Sequence, residues 1–225
     1  TMQMRNLIKE KIAANGYAVG VFVASSSATN CEILAMNGYD FAVIDCEHAQ
    51  TDSETAVNMF RACEMYGMAP MVRVYNPYDG PMMSRLLDVG AHGIMVPLVN
   101  DGAQAKNIVD STKYAPVGRR GANGGRGPRW GAYDDYVKVC NDNTLTFVQC
   151  ESIEGVNNIE EIAALPGVDG VFIGTGDLSL EMGIKFKADS SANHTVDSPE
   201  MVAAIDKILQ ACLKNGKIPL SLIHI

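Results

Sequence analysis

A chain of 225 residues with 47% hydrophobic and 20% charged residues is long enough for one well-packed core and has the make-up of a globular protein. A net charge of −8 argues against a nucleic-acid surface, because a phosphate backbone would be repelled at long range. No apolar run approaches a membrane span, no basic-then-apolar leader opens the chain, and the six cysteines include no C-x-x-C pair, so the expectation is a cytoplasmic protein with reduced, buried thiols and no zinc finger.

Residues 2–14 alternate apolar and charged groups at helical spacing, and Gly16 stops them. Val19–Val23 is the first strand; Ser25–Thr29 offers an N-cap for a helix over Asn30–Asn37, ended by Gly38. Phe41–Asp45 is a second, nearly all-apolar strand that runs into Cys46, Glu47 and His48. Ser53 caps a helix through Tyr66. Met71–Val74 is the third strand, Pro81–Val89 a short helix, Gly93–Pro97 the fourth strand and Asp101–Thr112 a helix. An irregular stretch rich in Gly and Arg, Tyr114–Gly131, follows; its length marks it as functional or as an interface. Tyr133–Cys140 is predicted helical. Phe147–Glu151 is the fifth strand, Asn157–Leu165 a helix, and the run Gly170–Ser179 carries the sixth strand. Ser198 and Pro199 start a long helix that ends near Asn215, and Lys217–Ile223 is a seventh strand.

Strand and helix alternating seven times imply a parallel sheet. Asp45, Glu47, His48, Arg73, Glu151 and Asp177 gather where strands end, which is the active face of a β/α barrel. The first strand lacks the G-x-G-x-x-G turn of a doubly wound sheet. The fold expected for 1–225 is therefore a single α/β domain, a (β/α)8 TIM-type barrel. Only seven strands are visible, so the last strand and helix are expected to be missing from this chain or replaced by another.

Glu151 closes one strand and Asp177 lies just past the next. Two acids at neighbouring strand ends suit a hard divalent cation with open positions, although each acid could equally cap a loop or pair with an arginine. His48 follows a buried strand with Asp45 three residues before it, a pattern in which a carboxylate orients an imidazole base. Arg73, on a strand otherwise of Met71, Val72 and Val74, needs an anionic partner: Asp45, Glu47 or a substrate oxygen. Gly174–Thr175–Gly176 can present backbone N–H groups to a carboxylate. His92, His194 and His224 are weaker base candidates. No lysine ends any of the first six strands, with Lys106, Lys113 and Lys138 on helices or loops, so Schiff-base chemistry is poorly supported.

The segments Gly38–His48, Leu86–Pro97, Gln149–Glu151 and Pro166–Ser179 resemble the HpcH/HpaI aldolase family, the metal-dependent class II pyruvate aldolases, over almost the whole chain. The resemblance implies Glu151 and Asp177 as metal ligands, His48 as base with Asp45 as its partner, and Arg73 facing the keto oxygen and enolate. It places Gln149 near the metal and Gly174 and Thr175 against the pyruvate carboxylate; Thr175 departs from the family's usual Pro or Ala. It further implies magnesium, manganese or cobalt as cofactor, with zinc compatible, and a homo-oligomer, trimeric or hexameric. The activity it implies is reversible cleavage of a 4-hydroxy-2-oxo acid to pyruvate and an aldehyde. The alternatives are an oxaloacetate decarboxylase on the same enolate chemistry, a malyl- or citramalyl-CoA lyase using Arg119, Arg120, Arg126 and Arg129, and a non-catalytic, partner-dependent barrel. Otherwise those arginines make a subunit contact or bind an acidic aldehyde.

Overall fold

A computed structural model describes residues 2–184 and 197–222. Seven parallel strands pair in sequence order: β1 (Gly20–Val23), β2 (Phe41–Asp45), β3 (Ala69–Arg73), β4 (Gly93–Val96), β5 (Leu145–Cys150), β6 (Gly170–Ile173) and β7 (Ile218–Leu220). Helices α1 (Leu7–Asn15), α2 (Ala28–Met36), α3 (Ser53–Met65), α4 (Gly80–Asp88), α5 (Gly102–Thr112), α6 (Tyr136–Asn143), α7 (Ile153–Asn157), α8 (Ile159–Ala164), α9 (Thr175–Glu181) and α10 (Pro199–Lys214) alternate with them. The Phe22 ring of β1 meets the Phe172 ring of β6 edge-on, centroids 5.7 Å apart, although five strand steps separate them in the sheet. Only a sheet curled back on itself brings those rings together. The result is a curled half-barrel of TIM-like type. The eighth strand of the expected barrel is not among the described residues.

Side-chain alternation divides the core in two. Phe41, Val43, Ala69, Met71, Met95, Leu145, Phe147 and Phe172 face inward and form one apolar cluster. Ala42, Ile44, Val72, Ile94, Val148 and Val171 face outward into the helix layer, where α10 adds Met201, Ala204, Ile208 and Ala211 at helical spacing. Gly170 lies inside because a Cβ there would come within 2.3 Å of the Phe147 ring.

Helix starts follow local chemistry. The expected opening helix is shorter than 2–14: the Asn6 side chain accepts from Lys9 N–H at 2.9 Å and sets the start at Leu7, while Met2 bridges to Tyr133 instead. The α3 cap is Asp52, not Ser53, and accepts from Thr55 N–H at 2.8 Å. The helix expected over 157–165 is α8, Ile159–Ala164, and a further short helix, α7, precedes it from Ile153, the two parted at Asn158. The run 170–179 is strand only to Ile173 and then turns into α9. Ser198 caps α10 as expected. His194 and His224, and Ile223 at the expected end of β7, lie outside the described residues.

The arginine-rich loop is a clamp at the sheet's N-terminal end. Arg120 pairs with Asp88 at 2.7 Å, and Arg126 and Arg129 each reach Glu64 at 2.6 Å, with His92 Nε2 a further 3.2 Å contact. These three arginines are consumed within the chain, on the face opposite the strand-end acids; they form neither a nucleotide groove nor an aldehyde site. Arg119 is exposed and only 3.9 Å from Asp110. Burial alone would push the Glu64 carboxyl up, but His92, Arg126 and Arg129 overcome it and hold it at about 2. A depressed folded value stabilises above the unfolded value and is lost as pH falls towards the folded one. Glu64→Gln is therefore expected to lower stability to urea by roughly 3 kcal/mol at pH 7, a gap that closes as pH falls from about 4.5 towards 2. Equal unfolding midpoints for the two proteins at pH 7 would contradict this.

Candidate active site

The inward column that is apolar deep in the sheet turns polar at its C-terminal end. On β2 it reads Phe41, Val43, Asp45; on β3, Ala69, Met71, Arg73; on β5, Leu145, Phe147, Gln149 and then Glu151 just past the strand. The period of two therefore delivers these side chains to one place. A hollow of about 290 Å³ at that end is lined by Asp45, His48, Arg73, Gln149, Glu151, Gly174, Thr175 and Asp177, the whole set of candidates, together with Phe22, Phe172 and Leu222. A larger hollow of about 410 Å³ between β1 and β7 is walled mainly by apolar groups and carries no acid, histidine or lysine.

Glu151 is buried, at 4% exposure. One carboxylate oxygen accepts from Leu98 N–H at 2.7 Å and the other from the Gln149 amide at 2.7 Å. Leu98 holds a left-handed φ of 55°, a strained conformation for leucine, just past β4. Gly174 makes room for the acid, since a Cβ there would fall 2.5 Å from the Glu151 Cβ. Burial raises the Glu151 carboxyl, and the charges of Asp177 and Glu47 raise it further against the hydrogen bonds from Leu98 and Gln149. Asp177 is exposed at the rim, in the first turn of α9 rather than at a strand end.

Acids that repel one another invite a cation. The donor set fits a hard divalent ion: two carboxylates face the same hollow, and the buried Gln149 Oε1 has no hydrogen-bond partner. Among the described residues no three His, Cys, Asp or Glu side chains group closely enough to enclose a metal. An ion here would keep open positions.

Asp45 and Arg73 stand opposite each other in the β2–β3 register. Arg73 Nε and Nη2 donate to the two Asp45 oxygens at 2.9 and 2.6 Å, and the guanidinium also lies 5.0 Å from the Phe22 ring centroid. Burial opposes the charge on Asp45, but this pairing and the N–H groups of Glu47 and His48 outweigh it and keep the carboxyl below the usual range. The expected Asp45–imidazole pair is not formed. Asp45 touches His48 only through the backbone N–H, at 3.4 Å, because the guanidinium occupies both its oxygens. The imidazole instead lies beside Glu47, with Nε2 3.6 Å from Oε2, and its side chain is 67% exposed.

Lys113, the most buried lysine among the described residues, is tied to Asp169 at 2.6 Å and to the carbonyls of Asn141 and Thr144, near the N-terminal end of the sheet. Phe22, Phe172, Leu98 and Leu222 were not singled out from sequence. The period of two on β1 and β6 points Phe22 and Phe172 inward; nothing in the residue type marks Leu98 or Leu222.

A family model described as HpcH/HpaI aldolase/citrate lyase matches residues 18–225. The chain is 35% identical over 218 residues to a 2-keto-3-deoxy-L-rhamnonate aldolase of Escherichia coli K12, covering 95% of this chain and 78% of the relative. It is 32% identical over 218 residues to a hydroxypyruvate/pyruvate aldolase of Cupriavidus necator, covering 96% and 78%. Its structure is similar to the crystal structure of an HpcH/HpaI aldolase from Desulfitobacterium hafniense, with a TM-score of 0.86 and 28% identity over 97% of this chain and 81% of that one.

Proposed function

Because the chain belongs to the HpcH/HpaI aldolase/citrate lyase family, we propose that it is a carbon–carbon lyase that splits a 4-hydroxy-2-oxo acid into pyruvate and an aldehyde, working as a homo-oligomer. The supporting observation is the single hollow in which Glu151 and Asp177 repel one another beside Arg73 and His48. Glu151 and Asp177 would hold the divalent ion, with magnesium, manganese or cobalt preferred and zinc compatible. Bound there, the ion supplies Lewis-acid polarisation of the keto group.

The remaining steps belong to this chain's own side chains. Arg73 Nη1, the guanidinium nitrogen that Asp45 leaves unused and that lies 3.0 Å from Glu47 Oε2, is the one to meet the charge that develops on the keto oxygen. The backbone N–H of Thr175 orients the substrate carboxylate, and α9 has no side-chain cap that would compete for it; the Gly174 N–H is committed to the Cys150 carbonyl at 3.0 Å, so Gly174 contributes only the room its missing side chain leaves. Gln149 keeps Glu151 in place. His48 takes the proton from the 4-hydroxyl as the C3–C4 bond breaks, and the electron pair moves into the pyruvate enolate. The same imidazole then delivers the proton to C3, giving the methyl group of pyruvate. Phe22 and Phe172 keep water from the inner side.

Pyruvate release from a panel of 4-hydroxy-2-oxo acids, coupled to lactate dehydrogenase, tests the proposal, with oxaloacetate as a second arm. Retro-aldol turnover well above the protein-free rate is expected. No pyruvate from any aldol substrate with magnesium, manganese, cobalt or zinc would overturn it, and pyruvate from oxaloacetate alone would identify the decarboxylase.

A further inference from the structure

We propose that Leu98 is a positioning residue for the ion site: its left-handed backbone, rather than its side chain, aims the N–H that fixes the Glu151 carboxylate. The inference rests on Glu151 as a ligand of the divalent ion proposed above. Leu98 is the second residue past β4, and its φ is 55°. Among the described residues it is the one aliphatic residue with a left-handed backbone. Leucine rarely holds this conformation, because Cβ crowds the following carbonyl. Burial does not explain the choice, since Leu98 is 45% exposed.

The conformation is imposed from both sides. Upstream, β4 is paired with β5 as far as Val96 and Val148. Downstream, the buried Val99 donates its N–H to the Gln149 carbonyl at 3.3 Å, and the Asn100 carbonyl accepts from the Asn158 side chain at 2.9 Å. Gly155 leaves room for this path, since a Cβ there would come within 2.9 Å of the Val99 carbonyl oxygen. Residue 98 bridges these anchors, which is how a strained conformation is kept. The result is a donor from the β4 side, 2.7 Å from Glu151 Oε1, opposite the Gln149 amide, 2.7 Å from Oε2. Two donors on two oxygens fix the carboxylate, and each oxygen retains accepting capacity for an ion. A backbone donor cannot be deleted by a side-chain change, but a residue that refuses the left-handed region would misaim it. Position 98 should therefore tolerate Gly or Asn and reject a β-branched residue.

The direct test replaces the Leu98 N–H by an ester oxygen, with leucic acid incorporated at position 98 by nonsense suppression. Manganese affinity is then read from the electron paramagnetic resonance signal of the free ion. The dissociation constant is expected to rise about 10-fold, as for losing a group that orients a metal ligand. Side-chain variants give a second line. Leu98→Gly and Leu98→Asn enter the left-handed region readily and should bind manganese within about 2-fold of the wild type, with L98G unfolding in urea no earlier than the wild type. Leu98→Ile has the same atoms but is β-branched; it should bind about 10-fold more weakly while its circular dichroism stays that of a folded protein. An ester variant with wild-type affinity overturns the assignment, and so does L98I binding as tightly as L98G. Should the ester variant not fold, the comparison of L98G with L98I decides. No manganese binding by the wild type would overturn the ion site itself, and this inference with it.

Discussion

Glu151→Gln is expected to cut retro-aldol turnover by about 10³-fold or more, on the scale of losing a main electrostatic stabiliser of the enolate. Glutamine keeps the volume and can still accept from Leu98 N–H, so a loss reports the missing charge rather than a collapsed pocket. The variant also separates function from folding. In the metal-free protein the wild-type carboxylate is buried and faces Asp177 and Glu47, so its charge opposes folding. A group with a raised folded value loses stability as pH climbs through that value. Metal-free E151Q should therefore melt above the metal-free wild type. Adding magnesium or manganese should raise the wild-type melting temperature and leave that of E151Q unmoved. Chelation should abolish wild-type turnover, and metal should restore it. A wild-type protein that turns over fully after thorough chelation, or an E151Q that responds to metal as wild type does, would remove Glu151 from the role.

Much of this site was legible because it obeys a period of two. Once Phe41–Asp45 and Phe147–Glu151 are taken as strands in a curled sheet, inward apolar residues must be followed by Asp45 and by Gln149 and Glu151 at the open end. The strands themselves were legible from apolar runs cut by Gly and Pro. Helix boundaries were less so, since a cap depends on which of two adjacent polar residues reaches an N–H. Asp52 and Ser53 illustrate it: both are good caps by type, and the backbone chose the aspartate. Residues 170–179 misled for a related reason. An apolar stretch with three glycines looks extended, yet the chain turns at Gly174 and puts Asp177 on a helix.

Pairing of charges was the least legible layer. Sequence proximity joined His48 to Asp45, but an arginine one strand away offered two N–H groups in fixed geometry and took both oxygens. The arginines of 114–131 likewise suggested an anion site, whereas their partners, Glu64 on α3 and Asp88 on α4, lie far off in sequence. Leu98 shows the same limit for backbone: its left-handed conformation and its bond to Glu151 follow from where β4 and β5 end relative to each other.

His48→Ala is expected to lower retro-aldol turnover by about 10²–10⁴-fold, the range for losing a positioned acid–base group. The KM for the keto acid should change little, because Arg73, Asp45, Glu151 and Thr175, which would hold that end of the substrate, do not depend on the imidazole. His48 is exposed, so its removal leaves no buried cavity and little effect on stability. Oxaloacetate supplies the internal control. Losing carbon dioxide requires the enolate to be stabilised and then protonated at C3, which solvent can do after release, but no hydroxyl proton to be removed. If His48 moves that proton, H48A should lose less than about 10-fold in any oxaloacetate decarboxylation while aldol cleavage collapses. Equal losses in the two reactions would make His48 a positioning group, and an unchanged aldol rate would leave the proton to another carrier. The split between the two reactions therefore tests the chemistry assigned to this imidazole independently of which aldehyde the enzyme accepts.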